Sequence, residues 1–264
     1  MFDLLRMDLH RMPRSMAFKV IAILLVFETT LTAFTFSYML NHTSDLMEMP
    51  GGFGFEDGKF TLGMFVQMTL GQLGDFALYL AIFAVLFANG DFSTGFIKTI
   101  AGQVKSRGML AISKFISVVI YTIGYIAFYT LIAIVDCIIF FDEVRVPDMG
   151  ELIKYMLLML YMYIAMIFLI TAIALIFRSN LIGIIGGILI STGLLSAILG
   201  LVNILLDKLN IDIDLKKYTV TGSITSVTLT GDLSDYTRQI IVCAVYIVVS
   251  LIATIISYNK RDVA

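Results

Sequence analysis

Six long apolar runs, separated by polar or charged stretches, organise the chain, at residues 17–40, 68–88, 109–140, 152–177, 181–206 and 239–258. Crossing a bilayer core about 30 Å thick takes about 20 apolar residues in a helix, at about 1.5 Å per residue. Each run meets that length. The runs are continuous and lack the alternation of barrel strands, and a backbone in lipid must satisfy its own polar groups, so each predicts a spanning helix. The expected fold is an all-α membrane protein, with six spans in one domain over residues 1–264.

Two features lie outside the spans. Near the N-terminus, Phe2, Leu4, Leu5, Leu9 and Met12 recur at helical spacing between Asp3, Arg6, Asp8 and Arg11. That pattern predicts a short amphipathic helix at the membrane interface. Residues 207–237 form a Thr- and Ser-rich stretch long for a bare turn, and short helices or short strands both fit its pattern.

Charge sets the expected orientation. Arg6, Arg11, Arg14 and Lys19, then Lys98, Lys105, Arg107 and Lys114, then Lys260 and Arg261 fall on alternate sides of the runs from the acidic segments. Basic segments stay in the cytoplasm, so both termini are expected there, as an even span count requires. A cleaved signal peptide is the weaker reading of the first run, because its apolar stretch outlasts a signal core.

Composition agrees with the pattern: 59% of residues are apolar and 14% charged, far from a soluble domain. With a net charge of −2, nothing points to nucleic acid. Cys137 and Cys243 lie in apolar runs and read as small buried hydrophobes. His10 and His42 are far apart, and no metal-ligand spacing occurs. The phosphate-cradling string G-x-x-x-x-G-K-[ST] is missing, the nearest stretch being FGFEDGKF at residues 53–60. Neither His sits at membrane depth to serve an intramembrane hydrolase. The chain is not expected to be an enzyme, nor to bind a cofactor itself.

Within the runs, ionisable residues are costly and mark candidate function. Asp75 and Asp136 fall toward span ends, within reach of water, whereas Glu28 lies near mid-span. Glu28 therefore reads either as part of a polar translocation path or as a structural partner of a neighbouring helix. Met159 and Met166, with Met156 and Met162, give the fourth run an adaptable apolar surface that fits either varied substrates or simple packing. Gly183 and Gly187 have the small-x-x-x-small spacing that lets helices approach closely, in the chain or across a dimer.

The stretch at residues 89–115, NGDFSTGFIKTIAGQVKSRGMLAISKF, is unlike a simple turn. Asp91, Ser93 and Thr94 offer a helix start, Phe92, Phe96, Ile97 and Ile100 an apolar side, and Lys98, Lys105 and Arg107 a cationic one. Such a segment can meet a partner or anionic membrane lipid.

In this layout the chain resembles the permease subunits of type 2 ATP-binding-cassette (ABC) exporters, which carry an acidic residue after the second span, then a small-Gly-x-Ile-Lys string, then Arg and Lys as the third span begins. Asp91, Thr94-Gly95-Phe96-Ile97-Lys98, Arg107 and Lys114 match that pattern. Phe96 stands where Thr or Leu is frequent, and Asp91 where Glu is common.

The resemblance implies a coupling segment over residues 89–108, with Asp91, Phe92, Ser93, Thr94, Gly95, Phe96, Lys98 and Arg107 seated on a separate ABC ATPase. It further implies two ATPase copies that bind ATP and magnesium, a second permease chain, identical or related, and a cell-membrane location, usually bacterial. The implied cargo is a drug, lantibiotic or antimicrobial peptide, amphipathic or hydrophobic. Two other readings stand beside it: an ion- or proton-coupled carrier built on Glu28, and a non-transporting membrane immunity or scaffold protein.

Overall fold

A computed structural model describes residues 2–42, 62–71, 75–93, 95, 108–141, 149–208, 214–231 and 233–260. Among these residues every regular element is an α-helix or a 3-10 turn. Five helices are long and apolar enough to cross a membrane, and a bent pair makes a sixth crossing if counted as one. The chain is a multi-pass membrane protein by this measure.

Helix α1 (Phe2–Arg11) leads into α2 (Met16–His42), and Ser15 caps the second helix by accepting the Phe18 N–H. After α3 (Leu62–Leu70) come α4 (Asp75–Ser93) and α5 (Gly108–Phe140). Helix α6 (Met149–Phe177) is followed by α7 (Asn180–Ser191) and α8 (Leu194–Lys208). A 3-10 turn at Leu215–Tyr218, α9 (Val220–Thr225), a second 3-10 turn at Leu233–Tyr236 and α10 (Thr237–Lys260) complete the order.

Helix α6 is the hub, packed against α4, α5, α7, α9 and α10. Its apolar residues run all the way round, so it can be buried on every side. Met159, Met162, Tyr163, Met166 and Ile170 are fully enclosed. By contrast α2 and α10 present Ile23, Phe27 and Phe34, and Val245, Val248 and Ile252, on their open faces. In water such faces would be penalised, while in a bilayer they meet lipid.

The structure departs from the sequence pattern in the second run, expected over 68–88. Residues 68–70 belong to α3, and the spanning helix begins at Asp75 and continues to Ser93. At Gly71 the chain closes onto the Gln67 carbonyl (2.8 Å), and a Cβ there would lie 2.6 Å from that oxygen and 2.8 Å from the Tyr155 hydroxyl. A second departure is in the fifth run, which breaks by 60° between α7 and α8. Helix α7 has 12 residues and spans only about 18 Å. Thr192 caps it, and Gly193 turns the chain at φ +71. The break is one that apolarity alone does not signal, because the apolar run continues across it from α7 into α8.

The stretch expected over 207–237 resolves, among its described residues, into helical turns. Asn203 of α8 anchors it by giving its side-chain amide to Asp214 (2.8 Å) and accepting the Leu215 N–H (3.0 Å). Ser196 of α8 meets Thr221 of α9 through their hydroxyls.

Candidate functional site

At the end of the bundle where α4 stops and α5 starts, four charged side chains from three helices form one cluster. Lys114 of α5 places its ammonium 2.7 Å from Asp8 Oδ1 and 2.7 Å from Asp91 Oδ2. Arg11 of α1 reaches Asp91 Oδ1 at 2.8 Å, and Ser113 donates to Asp8 Oδ2 at 2.9 Å. Asp8, Asp91 and Lys114 are buried, while Arg11 reaches outward. The Lys114 ammonium also lies 4.7 Å from the centre of the Phe87 ring. Two acids and two bases balance, and each carboxylate oxygen has a donor, which is what makes a buried ion cluster tolerable.

Other elements converge on the same end. Arg178, in the α6–α7 turn, holds a left-handed backbone at φ 52 and lays its guanidinium 5.3 Å from the Phe92 ring. Such a conformation costs a non-glycine residue about 1–2 kcal/mol, so the surroundings must hold it. Phe92 in turn packs edge-on to Tyr258 near the end of α10. Asn89, two residues before Asp91, is buried with both amide atoms unpartnered. The cluster therefore grips Asp91, just before residues 94–107, and Lys114, just after them, and ties both to α1.

A second polar group lies deeper in the bundle. Glu28 of α2 lies near Asp75, the first residue of α4. Glu28 Oε2 is buried with no partner, and so is the Tyr125 hydroxyl. Asp136 is different: Thr30 donates to it at 3.1 Å, joining α2 to α5.

Residues 23–264 match a family described as a protein of unknown function (DUF2705). The chain belongs to that family. A search among curated proteins finds no match. The family region starts within α2, so α1 and its half of the ion cluster lie ahead of it, whereas Asp91, Lys114 and Glu28 lie inside.

The sequence-derived candidates separate clearly on this DUF2705 fold. Asp91 and Phe92 are in the cluster, Asp91 as a buried, paired anchor. Ser93 closes α4, and Gly95 has a left-handed backbone at φ 68 with open space where a Cβ would sit. Thr94, Phe96, Lys98 and Arg107 lie outside the described residues. Met159 and Met166 are enclosed in the core of α6. Gly183 and Gly187 sit within the chain: a Cβ on Gly183 would come 2.7 Å from Val85 and 2.9 Å from Ala174, and one on Gly187 3.4 Å from Ala81. Helix α7 thus nests between α4 and α6.

Sequence reading missed the part played by Asp8 and Arg11, which looked like the polar face of an interfacial helix. Asp8 is buried, turned inward onto α5. It missed the phenol group too, although Tyr121, Tyr125 and Tyr129 stand four residues apart on one face of α5.

Proposed function

We propose that the chain is the membrane-embedded permease subunit of an ATP-driven exporter of the type 2 ABC kind, driven by a separate ATPase. The observation that carries this reading is the ion cluster at both roots of residues 94–107. A segment that delivers force must be fixed at each end, or its movement dissipates in the loop. Here Asp91 lies in the last turn of one spanning helix, Lys114 in the second turn of the next, and Asp8 and Arg11 join both to α1. A push on the segment reaches three helices together.

On this reading the Lys- and Arg-rich segments and both termini face the cytoplasm. Helix α1 lies along that surface, held inward by Asp8. Gly95 lets the chain leave α4 sharply into the coupling segment, because a left-handed residue carries no penalty there as glycine. ATP binding by the partner favours one arrangement of the spans over the other, and only that difference in affinity does work. A second permease chain completes the path.

The test is purification from native membranes. An associated ATPase should co-purify, and the assembly should hydrolyse ATP in vesicles. Replacing Asp91, Gly95 and Lys98 together should detach or uncouple it while the permease still inserts. Unchanged ATPase binding and transport in that variant would sink the reading. A carrier driven by a gradient through Glu28 is the competing account. Transport by the purified single chain, lost in Glu28→Gln and indifferent to any ATPase, would favour it.

A further inference from the structure

The seam between α2 and α5 carries two hollows that adjoin at Ala22 and Phe128. The inner one, about 400 Å³, begins under α1 at Leu9, Met12 and Pro13 and passes Phe18, Ile120 and Gly124. The outer one, about 680 Å³, continues along Ile23, Val26, Phe27 and Phe34 on α2 and Phe128 and Phe140 on α5. No charged side chain lines either hollow, and the Thr30 hydroxyl in the outer wall is already given to Asp136.

The inner hollow has the dimensions of a hydrocarbon chain and not of a helix. From Ile120 to Phe128 it follows α5 for about 12 Å, close to the ~15 Å that half a bilayer core measures. A helix segment of that length, about 10 Å across, would need about 900 Å³. Three helices already frame the space, so a spanning helix of a second copy does not enter it. At its centre the chain leaves room: a Cβ built on Gly124 would meet nothing within 4 Å.

The polar end is set by the sequence around the α1–α2 turn. Ala22, Ile23, Val26 and Phe27 share one face of α2, and Lys19 stands one turn ahead of Ala22 and Ile23 on that face. Helical side chains lean toward the N-terminus, so Lys19 can carry its ammonium back toward Arg14. Arg14 follows Pro13, which lines the mouth of the inner hollow. Both cations are exposed, and among the described residues neither has a carboxylate partner. Two unpaired cations at the edge of a span, with an apolar slot one leaflet deep beside them, complement an anionic phospholipid.

We propose that this seam binds one anionic phospholipid, its phosphate held by Arg14 and Lys19 and one acyl chain laid past Gly124 through the inner hollow, with its tip at Val26 and Phe128. The lipid joins α1, α2 and α5 from the membrane side, as the ion cluster joins α1, α4 and α5 from within. The site does not depend on the exporter reading.

The test is native mass spectrometry of the purified full chain in maltoside micelles, titrated with dioleoyl phosphatidylglycerol and with dioleoyl phosphatidylcholine. One phosphatidylglycerol should be retained, about tenfold more tightly than phosphatidylcholine, and Arg14→Gln with Lys19→Gln should bring the two within about twofold. Lys216→Gln with Arg238→Gln removes the same charge away from the seam and should keep the preference; equal loss there overturns the proposal, because net charge alone would then explain it. Gly124→Phe fills the hollow and should weaken both lipids about tenfold. Equal retention of the two lipids by the unaltered chain overturns the proposal, and so does unchanged affinity in folded Gly124→Phe. A lipid-free dimer that Gly124→Phe splits into monomers overturns it in favour of contact between copies. If the Gly124 variant does not fold, phosphatidylglycerol with a diazirine near its chain end, photolysed on the unaltered chain, gives the answer. Labelling should concentrate near Val26 and Phe128, and labelling spread equally over the exposed face of α10 overturns the site. No ATPase enters these measurements, so their failure leaves the coupling reading intact.

Discussion

The bundle holds two groups of buried acids that have been treated in opposite ways. Asp8 and Asp91 each face two donors at 2.7–2.9 Å, and the charges in their cluster cancel. Glu28 keeps a buried oxygen without a partner. Both arrangements involve costly groups at buried positions, but only the first recovers the cost within the chain. A satisfied cluster fixes geometry, which suits a junction that must carry force. An unsatisfied one carries its desolvation cost without a partner in the chain to offset it. Asp136, which takes the Thr30 hydroxyl, lies between the two and reads as structural.

The largest expected effect comes from breaking the satisfied cluster. Lys114→Met should destabilise the chain by about 3–5 kcal/mol, because Asp8 and Asp91 are then left buried and facing each other without the cation. Adding Asp8→Asn and Asp91→Asn should recover much of that loss. Unfolding in mixed micelles, compared among these variants, checks it. A loss below about 1 kcal/mol for Lys114→Met would place the cluster with weak surface pairs and remove its distinction from the Glu28 group.

A paired set of tyrosines probes the same contrast on a smaller scale. Tyr163 donates its hydroxyl to the Leu70 carbonyl at 2.8 Å, holding α3 on the hub helix, whereas the Tyr125 hydroxyl has no partner. Tyr163→Phe should cost about 1 kcal/mol, and Tyr125→Phe nothing or a slight gain in the ligand-free chain. The same unfolding series measures both. Equal losses would mean that the Tyr125 hydroxyl is satisfied by water or lipid, and the comparison would need redrawing.

These contrasts show what could be read from the chain in advance. Span positions were legible because apolar length is a one-dimensional property, and α5 and α10 start and stop within two residues of their apolar runs. The Gly183–Gly187 spacing pointed to a close approach but left open whether it lay in the chain or across a dimer; the α4 and α6 neighbours came only with the fold. The end of α3 was not legible, because the tight space at Gly71, where a Cβ would come 2.8 Å from the Tyr155 hydroxyl, is set by another helix. Nor was the ion cluster: Asp8 and Lys114 lie 106 residues apart, and nothing local distinguishes an inward carboxylate from an outward one on a short helix. The pattern at residues 89–108 set that stretch apart from a simple turn, while the tie of Asp91 to α1 required the fold. Glu28 stood out by depth, but the phenols around it were hidden among a dozen tyrosines.

The smallest effect belongs to an exposed ion pair that serves as a control for the buried cluster. Asp214 lies 3.3 Å from Lys217 outside the spans, and it accepts from the Lys216 N–H and the Asn203 amide. Desolvation pushes its carboxyl upward, but Lys217 and these hydrogen bonds prevail and hold it below its ordinary value of 3.8. A carboxyl lowered in the folded state adds stability above its ordinary value and loses it as pH falls through the lowered one. The Leu215 and Lys216 amides should therefore lose hydrogen-exchange protection only below about pH 4, after correction for intrinsic rates, and Asp214→Asn should abolish that pH dependence. Salt should weaken the same pair, since both partners are solvated, whereas the contacts of Lys114 with Asp8 and Asp91 should respond far less, because those three side chains are at most 8% exposed. An equal response of the two to salt would show that the cluster around Asp91 is open to solvent, and the proposed junction would lose the burial on which the coupling reading rests.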